Sequence, residues 1–227
     1  MNPRLKWTIL GAGNLIFDLL DAIESRSNIL SRIVLNQQTE INFQGYTKLV
    51  IINLEEFNKL PELDELDYCI FGFLNPKKIE FIDSIKPNLR KFGNLIHKTA
   101  YLSFSQSNGL SDGNYFGPHV TIAPHVKIEG MNFFNRNCSV GHDTEIGNFN
   151  HIGPGATVCG RCKIGYRNFI GAGSVIKDGI QIWNDITVGA GAVVTNDLTE
   201  AGTYVGVPAK KLCKPTPPPH LFQCHSF

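Results

Sequence analysis

An apolar residue recurs at every sixth position through the second half of the chain. From Ile122 to Val194, thirteen consecutive positions of this phase are apolar, and twelve of them carry β-branched side chains. Glycine often follows directly, as in Ile146-Gly147. β-branched residues favour strands and glycine favours tight corners, so the period predicts short strands that alternate with corners. Because one turn of such a chain cannot bury its own face, we expect a coil with three sides and about eighteen residues per turn.

The coil predicts which residues become neighbours. Residues one turn apart stack at the ~4.8 Å spacing of paired strands, so His142 lies beside Gly160, while His151 lies half a turn away. A mostly small residue recurs four positions after each apolar one and fills a second inward slot, as Cys138 and Cys162 illustrate. An ordinary β-sandwich would show a period of two with irregular turns, so the period of six disfavours it.

The first half of the chain has another pattern. It holds seven of the 22 glycines, whereas residues 117–206 hold fifteen. The segment Lys6–Leu10 reads as an apolar strand that runs into Gly11-Ala12-Gly13, and a helical spacing of apolar residues follows. Further elements are predicted in alternation: strands at Arg32–Leu35, Leu49–Ile52, Tyr68–Phe71 and Phe92–Ile96, and helices at Leu54–Lys59 and Pro76–Ile85. Such alternation indicates a parallel sheet.

We therefore predict a chain of the α/β plus all-β class. Residues 1–98 form a small Rossmann-like parallel α/β domain, residues 99–212 form the coil, and the proline-rich residues 213–227 form an extended tail. Gly11 and Gly13 suit a diphosphate bound at the helix N-terminus. The third glycine of the dinucleotide fingerprint is missing, and Asn36 stands where an acidic ribose ligand would be expected. This disfavours NAD and leaves a glycine turn that serves packing alone as an alternative.

Charge and cysteine content narrow the classes of partner. Lys and Arg number 21 against 20 Asp and Glu, a net charge of +1, which disfavours nucleic acid and anionic membrane surfaces. The chain has no apolar run near the ~20 residues of a membrane span and no leader-like N-terminus, so a cytoplasmic location is expected. The six cysteines are then most simply reduced thiols.

Three motifs and the repeat carry a resemblance to a known family. The repeat unit resembles that of the hexapeptide-repeat, left-handed parallel β-helix proteins. The motifs resemble those of bacterial nucleotide-sugar N-acetyltransferases of the di-N-acetylbacillosamine type, and of the related sialic acid O-acetyltransferases. These motifs are Asn94-Leu95-Ile96-His97-Lys98, Gly141-His142-Asp143 followed nine residues later by His151, and Gly206-Val207-Pro208-Ala209-Lys210.

The resemblance implies a function and roles for single residues. It implies a homotrimer with active sites between subunits, which uses acetyl-CoA, needs no metal and acts in surface polysaccharide biosynthesis. By matching position it makes His142 the general base, Asp143 its partner and His151 a contact at the reacting amine. It also makes the Gly160 N–H the oxyanion donor and places Ala172, with Gly160, along the acetyl-CoA groove. A histidine base and a backbone donor suit acyl transfer from a thioester.

The resemblance also implies where the nucleotide sugar binds. Gly11, Gly13, Asn14 and Asn36 fall at the substrate-binding positions of the first domain. Bacillosamine-type enzymes have Gly-His where this chain has Asn14-Leu15, and acidic residues where it has Asn36 and Gln37. These departures leave the nucleobase (UDP or dTDP) and the position of the sugar amine open.

Three other functions stay open at this point. The chain could O-acetylate a free sugar of the sialic acid type, or it could be a non-catalytic trimeric scaffold. A zinc hydratase on a similar coil would need three converging histidines, and His119, His125 and His142 lack the close pair that such sites use. A lone Cys159-x-x-Cys162 pair is a weak zinc signal.

Overall fold

The computed structural model describes residues 4–11, 15–35, 50–72, 78–103 and 109–212. The helices are α1 (Ile16–Ser25), α2 (Leu54–Asn58) and α3 (Lys78–Asp83), with a 3-10 turn at Pro87–Leu89. The strands of the first half are β1 (Lys6–Leu10), β2 (Ile29–Leu35), β3 (Ile51–Asn53) and β4 (Asp67–Phe71). Among these described helices, none combines the length and the apolar character that crossing a membrane requires.

The second half consists of short strands. They are β5 (Leu95–Ile96), β6 (Tyr101–Leu102), β7 (Tyr115–Phe116), β8 (Thr121–Ile122), β9 (Lys127–Ile128), β10 (Phe133–Phe134), β11 (Ser139–Val140), β12 (Glu145–Ile146), β13 (His151–Ile152), β14 (Thr157–Val158), β15 (Lys163–Ile164), β16 (Phe169–Ile170), β17 (Val175–Ile176), β18 (Gln181–Ile182), β19 (Ile186–Val188), β20 (Val193–Val194), β21 (Gly202–Val205) and β22 (Lys210–Lys211).

The first four strands form a parallel sheet in the order β3-β2-β1-β4. Helix α1 connects β1 to β2 and buries one apolar face, which includes Leu19 and Ile23. Helix α2 begins with a capping box, in which the Asn53 side chain accepts the Glu56 N–H at 2.8 Å. The Glu56 carboxylate accepts the Asn53 N–H in return, at 3.0 Å.

One predicted strand of the first half, Phe92–Ile96, is divided between two sheets. Phe92 forms a single bridge to Cys69 of β4, whereas β5 pairs with β7 of the coil. The prediction that this segment is one strand of the α/β domain was therefore wrong. An extended apolar run shows that a strand forms but not which free edge it joins, and here its two ends join different edges. The first strand of the coil thus precedes residue 98, where the sequence places the domain boundary.

The second half is a solenoid of about eight turns, as the period of six predicts. Sheet 1 contains β5, β7, β10, β13, β16, β19, β21 and β22; sheet 2 contains β6, β8, β11, β14, β17 and β20; sheet 3 contains β9, β12, β15 and β18. The chain visits sheets 1, 2 and 3 in turn, so the cross-section is a triangle. Strand pairs such as Phe133 with His151 and Ser139 with Thr157 confirm the predicted neighbours one turn apart.

The inward positions of the repeat form one continuous core. All thirteen apolar positions from Ile122 to Val194 are buried in it. The second inward slot holds Cys138, Ala156, Cys162 and Ala192, which are also buried. Burial raises the pKa of the Cys138 thiol to about 12, so this side chain stays neutral and serves packing, as its place in the repeat predicts.

Each corner of the triangle contains one residue with a left-handed backbone. We name the corners by the sheets they join: corner 1–2, corner 2–3 and corner 3–1. The left-handed residues recur every six positions and include glycines as well as His125, Asn137, Asp143, Phe149, Arg161, Arg167 and Asp185. A positive φ suits glycine and is tolerated by Asn, Asp and His. The corner conformation is therefore set by position in the repeat, and the residue type adapts to it.

A column of buried asparagines runs along corner 3–1. The column consists of Asn114, Asn132, Asn150 and Asn168, spaced one turn apart. The Asn132 side-chain oxygen accepts the Asn150 N–H at 2.7 Å, and the Asn150 oxygen accepts the Asn168 N–H at 2.8 Å. The Asn150 amide donates to the carbonyls of Gly147 and Gly165. The column satisfies corner backbone groups that burial would otherwise leave without partners.

Helix α1 joins the two halves of the molecule. Its apolar residues share a core with Tyr115 and Phe133, which project outward from sheet 1. The Tyr115 hydroxyl donates to the Asp18 carbonyl at 3.2 Å, and Arg136 pairs with the Asp18 carboxylate at 3.2 Å. The α/β domain is therefore seated on sheet 1, on the side of the triangle opposite corner 2–3.

The left-handed corners give a stability prediction. Gly173 has φ +62°, and a Cβ placed there would meet no atom within 4 Å. Gly173→Ala should therefore cost about 1 kcal/mol of unfolding free energy from backbone strain alone. Urea unfolding measures the loss. Gly173→Asn should lose less, because asparagine tolerates this conformation; equal losses for both variants would contradict the explanation.

Candidate active site

Corner 2–3 brings His142 and Asp143 into contact. The His142 Nδ1 lies 2.7 Å from the Asp143 carboxylate, and both side chains are about half exposed. A carboxylate accepts hydrogen bonds and cannot donate one when ionised, so Nδ1 carries the hydrogen. In the neutral ring Nε2 then has a free lone pair. The contact orients the ring and leaves its outer nitrogen available as a base.

Gly160 lies one turn further along the same corner, as the spacing predicts. A Cβ at residue 160 would lie 2.9 Å from the His142 Nε2, closer than a side chain normally comes. The glycine therefore lets the imidazole lie directly against the backbone. The flanking N–H groups of Cys159 and Arg161 donate to Ile176 and His142 carbonyls. Within the described ranges the Gly160 N–H has no acceptor, so a base nitrogen and an available N–H donor lie side by side.

Charges around the corner keep Asp143 ionised. The pKa of its carboxyl lies below the usual range, chiefly because His142 donates a hydrogen bond to it. Partial burial opposes this effect, and the charges of His125 and Arg161, on the two adjacent turns, add to the lowering. The partner of the base thus remains an anion through the neutral pH range.

The structure places His151 away from this corner. It projects outward from sheet 1 and is 7% exposed. Its ring stacks between Phe133, at 5.5 Å between centroids, and Phe169, at 4.6 Å. On the N-terminal side of Phe133, this row of stacked rings continues to Tyr115, which packs against α1. Within one chain, His151 therefore lies on the sheet opposite His142, and the two do not meet.

Ala172 lies at a third place, on corner 1–2. It is exposed, and its neighbours one turn before and after, Pro154-Gly155 and Ala190-Gly191, are also small. Gly160 and Ala172 thus occupy the two edges of sheet 2. Any ligand that touches both must run along or across this sheet.

The first-domain residues are described only in part. Gly13, Asn14 and Asn36 lie outside the described residues. Gly11 directly follows β1, and its N–H donates to the Val34 carbonyl at 2.7 Å. Gly72 directly follows the neighbouring strand β4, and its N–H donates to the Leu10 carbonyl at 2.9 Å. The winding of the sheet reverses between β1 and β4, and the crevice at such a point is where parallel sheets bind ligands.

Two residues near this crevice, Gly72 and Asp18, were not identified from the sequence. Gly72 directly follows a buried strand, as Gly11 does, and this shared position in the sequence could have identified it. Asp18 lies in the first turn of α1, and burial raises the pKa of its carboxyl, against the opposing charge of Arg136. Acidic residues are common in first turns, so the sequence alone does not separate Asp18 from an ordinary helix start.

A separate concavity of about 670 Å³ lies on sheet 3. Lys127, Glu145 and Lys163 line it together with the exposed rings of Tyr166 and Trp183. The predicted site residues do not line it. Across the described ranges, we find no group of three or more His, Cys, Asp or Glu side chains placed to hold a metal ion.

Solved structures of the same fold include three proteins from bacteria. The acetyltransferase domain of PglB from Neisseria gonorrhoeae FA1090, in complex with acetyl coenzyme A, matches with a TM-score of 0.81 and 24% identity, over 92% of this chain and 100% of that one. A mutant of perosamine N-acetyltransferase from Caulobacter crescentus, in complex with CoA and GDP-perosamine, matches with a TM-score of 0.81 and 23% identity, over 92% and 97%. This chain has their fold.

A third protein extends the comparison. WeeI from Acinetobacter baumannii AYE matches with a TM-score of 0.77 and 21% identity, over 92% of this chain and all of that one. No protein-family model matches the chain, and no curated protein does. The matches cover both halves of the molecule, so the pairing of an α/β domain with a solenoid is a shared architecture.

The His142–Asp143 contact can be tested without an activity assay. Asp143→Asn keeps a residue that tolerates φ +57° but removes the negative charge beside Nδ1. An amide at this position can donate to Nδ1 as well as accept from it, so the neutral ring should lose its preference for the Nδ1–H tautomer. Nitrogen chemical shifts of histidine-labelled protein distinguish the two tautomers.

Asp185→Asn is the matched control. Asp185 has φ +58° on corner 3–1, where it pairs with Arg167 rather than with a histidine. That variant should leave the tautomer populations of His142 unchanged. Unchanged populations in Asp143→Asn would show that the contact does not exist in solution.

Proposed function

We propose that the protein is an acetyl-CoA-dependent N-acetyltransferase that acts on the amino group of a nucleotide-linked amino-deoxysugar. The observation that carries this proposal is the arrangement at corner 2–3. There the His142 Nε2 lies against Gly160, whose N–H has no acceptor in the described part of the chain. A base and a hydrogen-bond donor at one point are what attack on a thioester carbonyl requires.

The chemistry runs as a direct transfer. The substrate amine attacks the thioester carbonyl carbon, and Nε2 of His142 takes a proton from the nitrogen as the C–N bond forms. The Gly160 N–H donates to the negative oxygen of the tetrahedral intermediate. The C–S bond then breaks, and the imidazolium returns its proton to the CoA sulfur. Asp143 stabilises the imidazolium in between, and positioning of the two substrates supplies much of the rate.

The two corners that border sheet 2 suit acetyl-CoA as the acyl donor. The thioester would lie at Gly160, and the rest of the molecule would pass the small residues near Ala172, which leave room for a close ligand. The PglB domain and the perosamine enzyme, which share the fold, are described with acetyl coenzyme A and with CoA.

The nucleotide sugar is assigned to the crevice at the ends of β1 and β4. Gly11, with Gly13 and Asn14 after it, would hold the diphosphate at the start of α1, and Asn36 would lie near the nucleoside. We propose UDP or dTDP as the carrier. The perosamine enzyme is described with GDP-perosamine, so a guanine nucleotide belongs in the same test.

A complete site would need two subunits. Within one chain the α/β domain is seated on sheet 1, with His151 on that sheet, whereas His142 and Gly160 lie on the opposite corner. We propose a homotrimer in which corner 2–3 of one subunit meets the crevice and His151 of the next. Cyclic symmetry repeats such a contact three times and closes the ring.

The base assignment gives a direct kinetic prediction. His142→Ala should lower the rate of CoA thiol release by roughly 10²–10⁴-fold, because it removes the group that accepts the amine proton. The assay uses acetyl-CoA with 4-amino sugars linked to UDP, dTDP and GDP. His119 is an exposed histidine on corner 1–2, away from Gly160, and His119→Ala should keep the activity.

Two outcomes would overturn parts of the proposal. A near-normal rate for His142→Ala would remove this residue from the role of base. No turnover by the native protein with any of the three nucleotide sugars would remove the substrate class. In that case, calorimetry that shows no binding of nucleotide diphosphates would favour the O-acetylation of a free sugar.

The shared site predicts complementation between inactive subunits. His151→Phe preserves the aromatic column between Phe133 and Phe169 but loses the polar nitrogens, so it should inactivate without unfolding. Co-expression of His142→Ala and His151→Phe subunits should recover about a quarter of native activity, because random trimers pair two intact half-sites at that frequency. Assays on the purified mixture measure it. Recovery no greater than either variant alone would place the site within one subunit.

A further inference from the structure

An ion pair on corner 2–3 joins the first and second turns beyond His142. The Arg161 guanidinium contacts the Asp178 carboxylate, and the Arg161 N–H donates to the His142 carbonyl at 2.8 Å. The side chains are 59% and 42% exposed, and exposed pairs of this kind contribute little to stability. Arg161 also has φ +56°, a conformation that disfavours its side chain. Stability therefore does not account for the pair.

The carboxylate of this ion pair and the His142 imidazole both lie close to Gly160. The position that a Cβ would take at Gly160 lies 2.9 Å from the His142 Nε2 and 3.0 Å from the Asp178 Oδ1. The carboxylate oxygen and Nε2 are therefore at most about 6 Å apart, on either side of the same glycine, while Asp143 occupies the Nδ1 side of the ring. A free carboxylate here would attract an N–H at Nε2 and compete with the substrate for that nitrogen.

We propose that Arg161 is a positioning residue, which holds the Asp178 carboxylate away from Nε2 of His142 and so keeps this nitrogen open to the substrate amine. The inference rests on the proposed function, because it gives Nε2 the role of base. Arg161 acts through Asp178 and His142 and touches no reacting atom itself.

The proposal explains why a negative group can be tolerated beside an oxyanion site. The tetrahedral intermediate carries its charge at the Gly160 N–H, and an unpaired Asp178 would repel it. Paired with Arg161, the carboxylate is neutralised. The same guanidinium thus protects the base before the reaction and the oxyanion during it.

Other titratable or charged groups lie around His142 and also act on its imidazole. His125 lies one turn before on the same corner, and Asp143 is adjacent. Cys159 and Lys177 flank Gly160 and Asp178 in their own turns. These groups are unchanged in the variants below, so differences between variants report on Arg161 and Asp178.

The test is a double-variant cycle with two readouts. In Arg161→Ala, Asp178 is free to accept a hydrogen bond from an N–H at Nε2, so the fraction of the neutral His142 ring in the Nε2–H tautomer should rise. Nitrogen chemical shifts of histidine-labelled protein report this fraction. The value of kcat/KM should fall about tenfold, because the carboxylate then occupies the nitrogen that accepts the amine proton. In Arg161→Ala/Asp178→Asn, both effects should largely disappear, because the competing carboxylate is gone.

Two further variants separate positioning from structure. Arg161→Lys retains the positive charge and should keep the His142 NMR signals and kcat/KM close to their native values. Arg167→Ala is the matched control: Arg167 also has φ +56° and pairs with Asp185 one turn on, at 2.6 and 2.7 Å, but on corner 3–1. It should reproduce any loss of thermal stability in Arg161→Ala without changing the His142 tautomer populations or kcat/KM.

Unchanged His142 tautomer populations in Arg161→Ala, or an Asp178→Asn substitution that fails to restore them, would overturn the positioning role. If the NMR cycle behaves as expected but the native protein transfers no acetyl group, the proposed function fails while the Arg161–Asp178–His142 relation stands. A loss of kcat/KM in Arg161→Ala without a change in the tautomer populations would also count against the proposal.

Discussion

The structure depends on parallel backbone pairing between residues eighteen positions apart, which holds through the central turns of the solenoid. This pairing acts identically on all three sheets, so it fixes the neighbours of every side chain on the coil. It places His142 beside Gly160, and it places Asn132 beside Asn150. The same one-turn pairing therefore produces the candidate site at corner 2–3 and the buried asparagine column at corner 3–1.

Much of the solenoid follows from the sequence because its inward phase is a physical necessity. Each residue of the phase from Ile122 to Val194 must enter the core, and each one does. The asparagine column escaped because a search for apolar inward residues passes over polar ones. Its signal was present: Asn114, Asn132, Asn150 and Asn168 recur with the full period of the coil, which a search at that spacing would detect.

The remaining errors and gaps arise where tertiary contacts decide. Whether Phe92–Ile96 joins one sheet or another depends on which edges are free, and the sequence does not show edges. The half-turn offset of His151 was readable, but its burial results from stacking on Phe133 and Phe169 next to the docked α1. The place of Asp178 on the corner of His142 follows from the eighteen-residue spacing, but the approach of its carboxylate to Gly160 depends on the side-chain conformation, which the spacing does not give.

The constant pairing register also governs how a chain like this can change in length. Leu95 pairs with Tyr115 and Thr187 pairs with Thr203, so the terminal turns depart from the eighteen-residue spacing and absorb extra or missing residues. In the turns between them, a single inserted residue would exchange inward and outward side chains for the rest of the coil. Insertions and deletions there are accommodated only as whole turns. A turn added outside residues 142–160 would move the two ends of the molecule apart while leaving His142 beside Gly160.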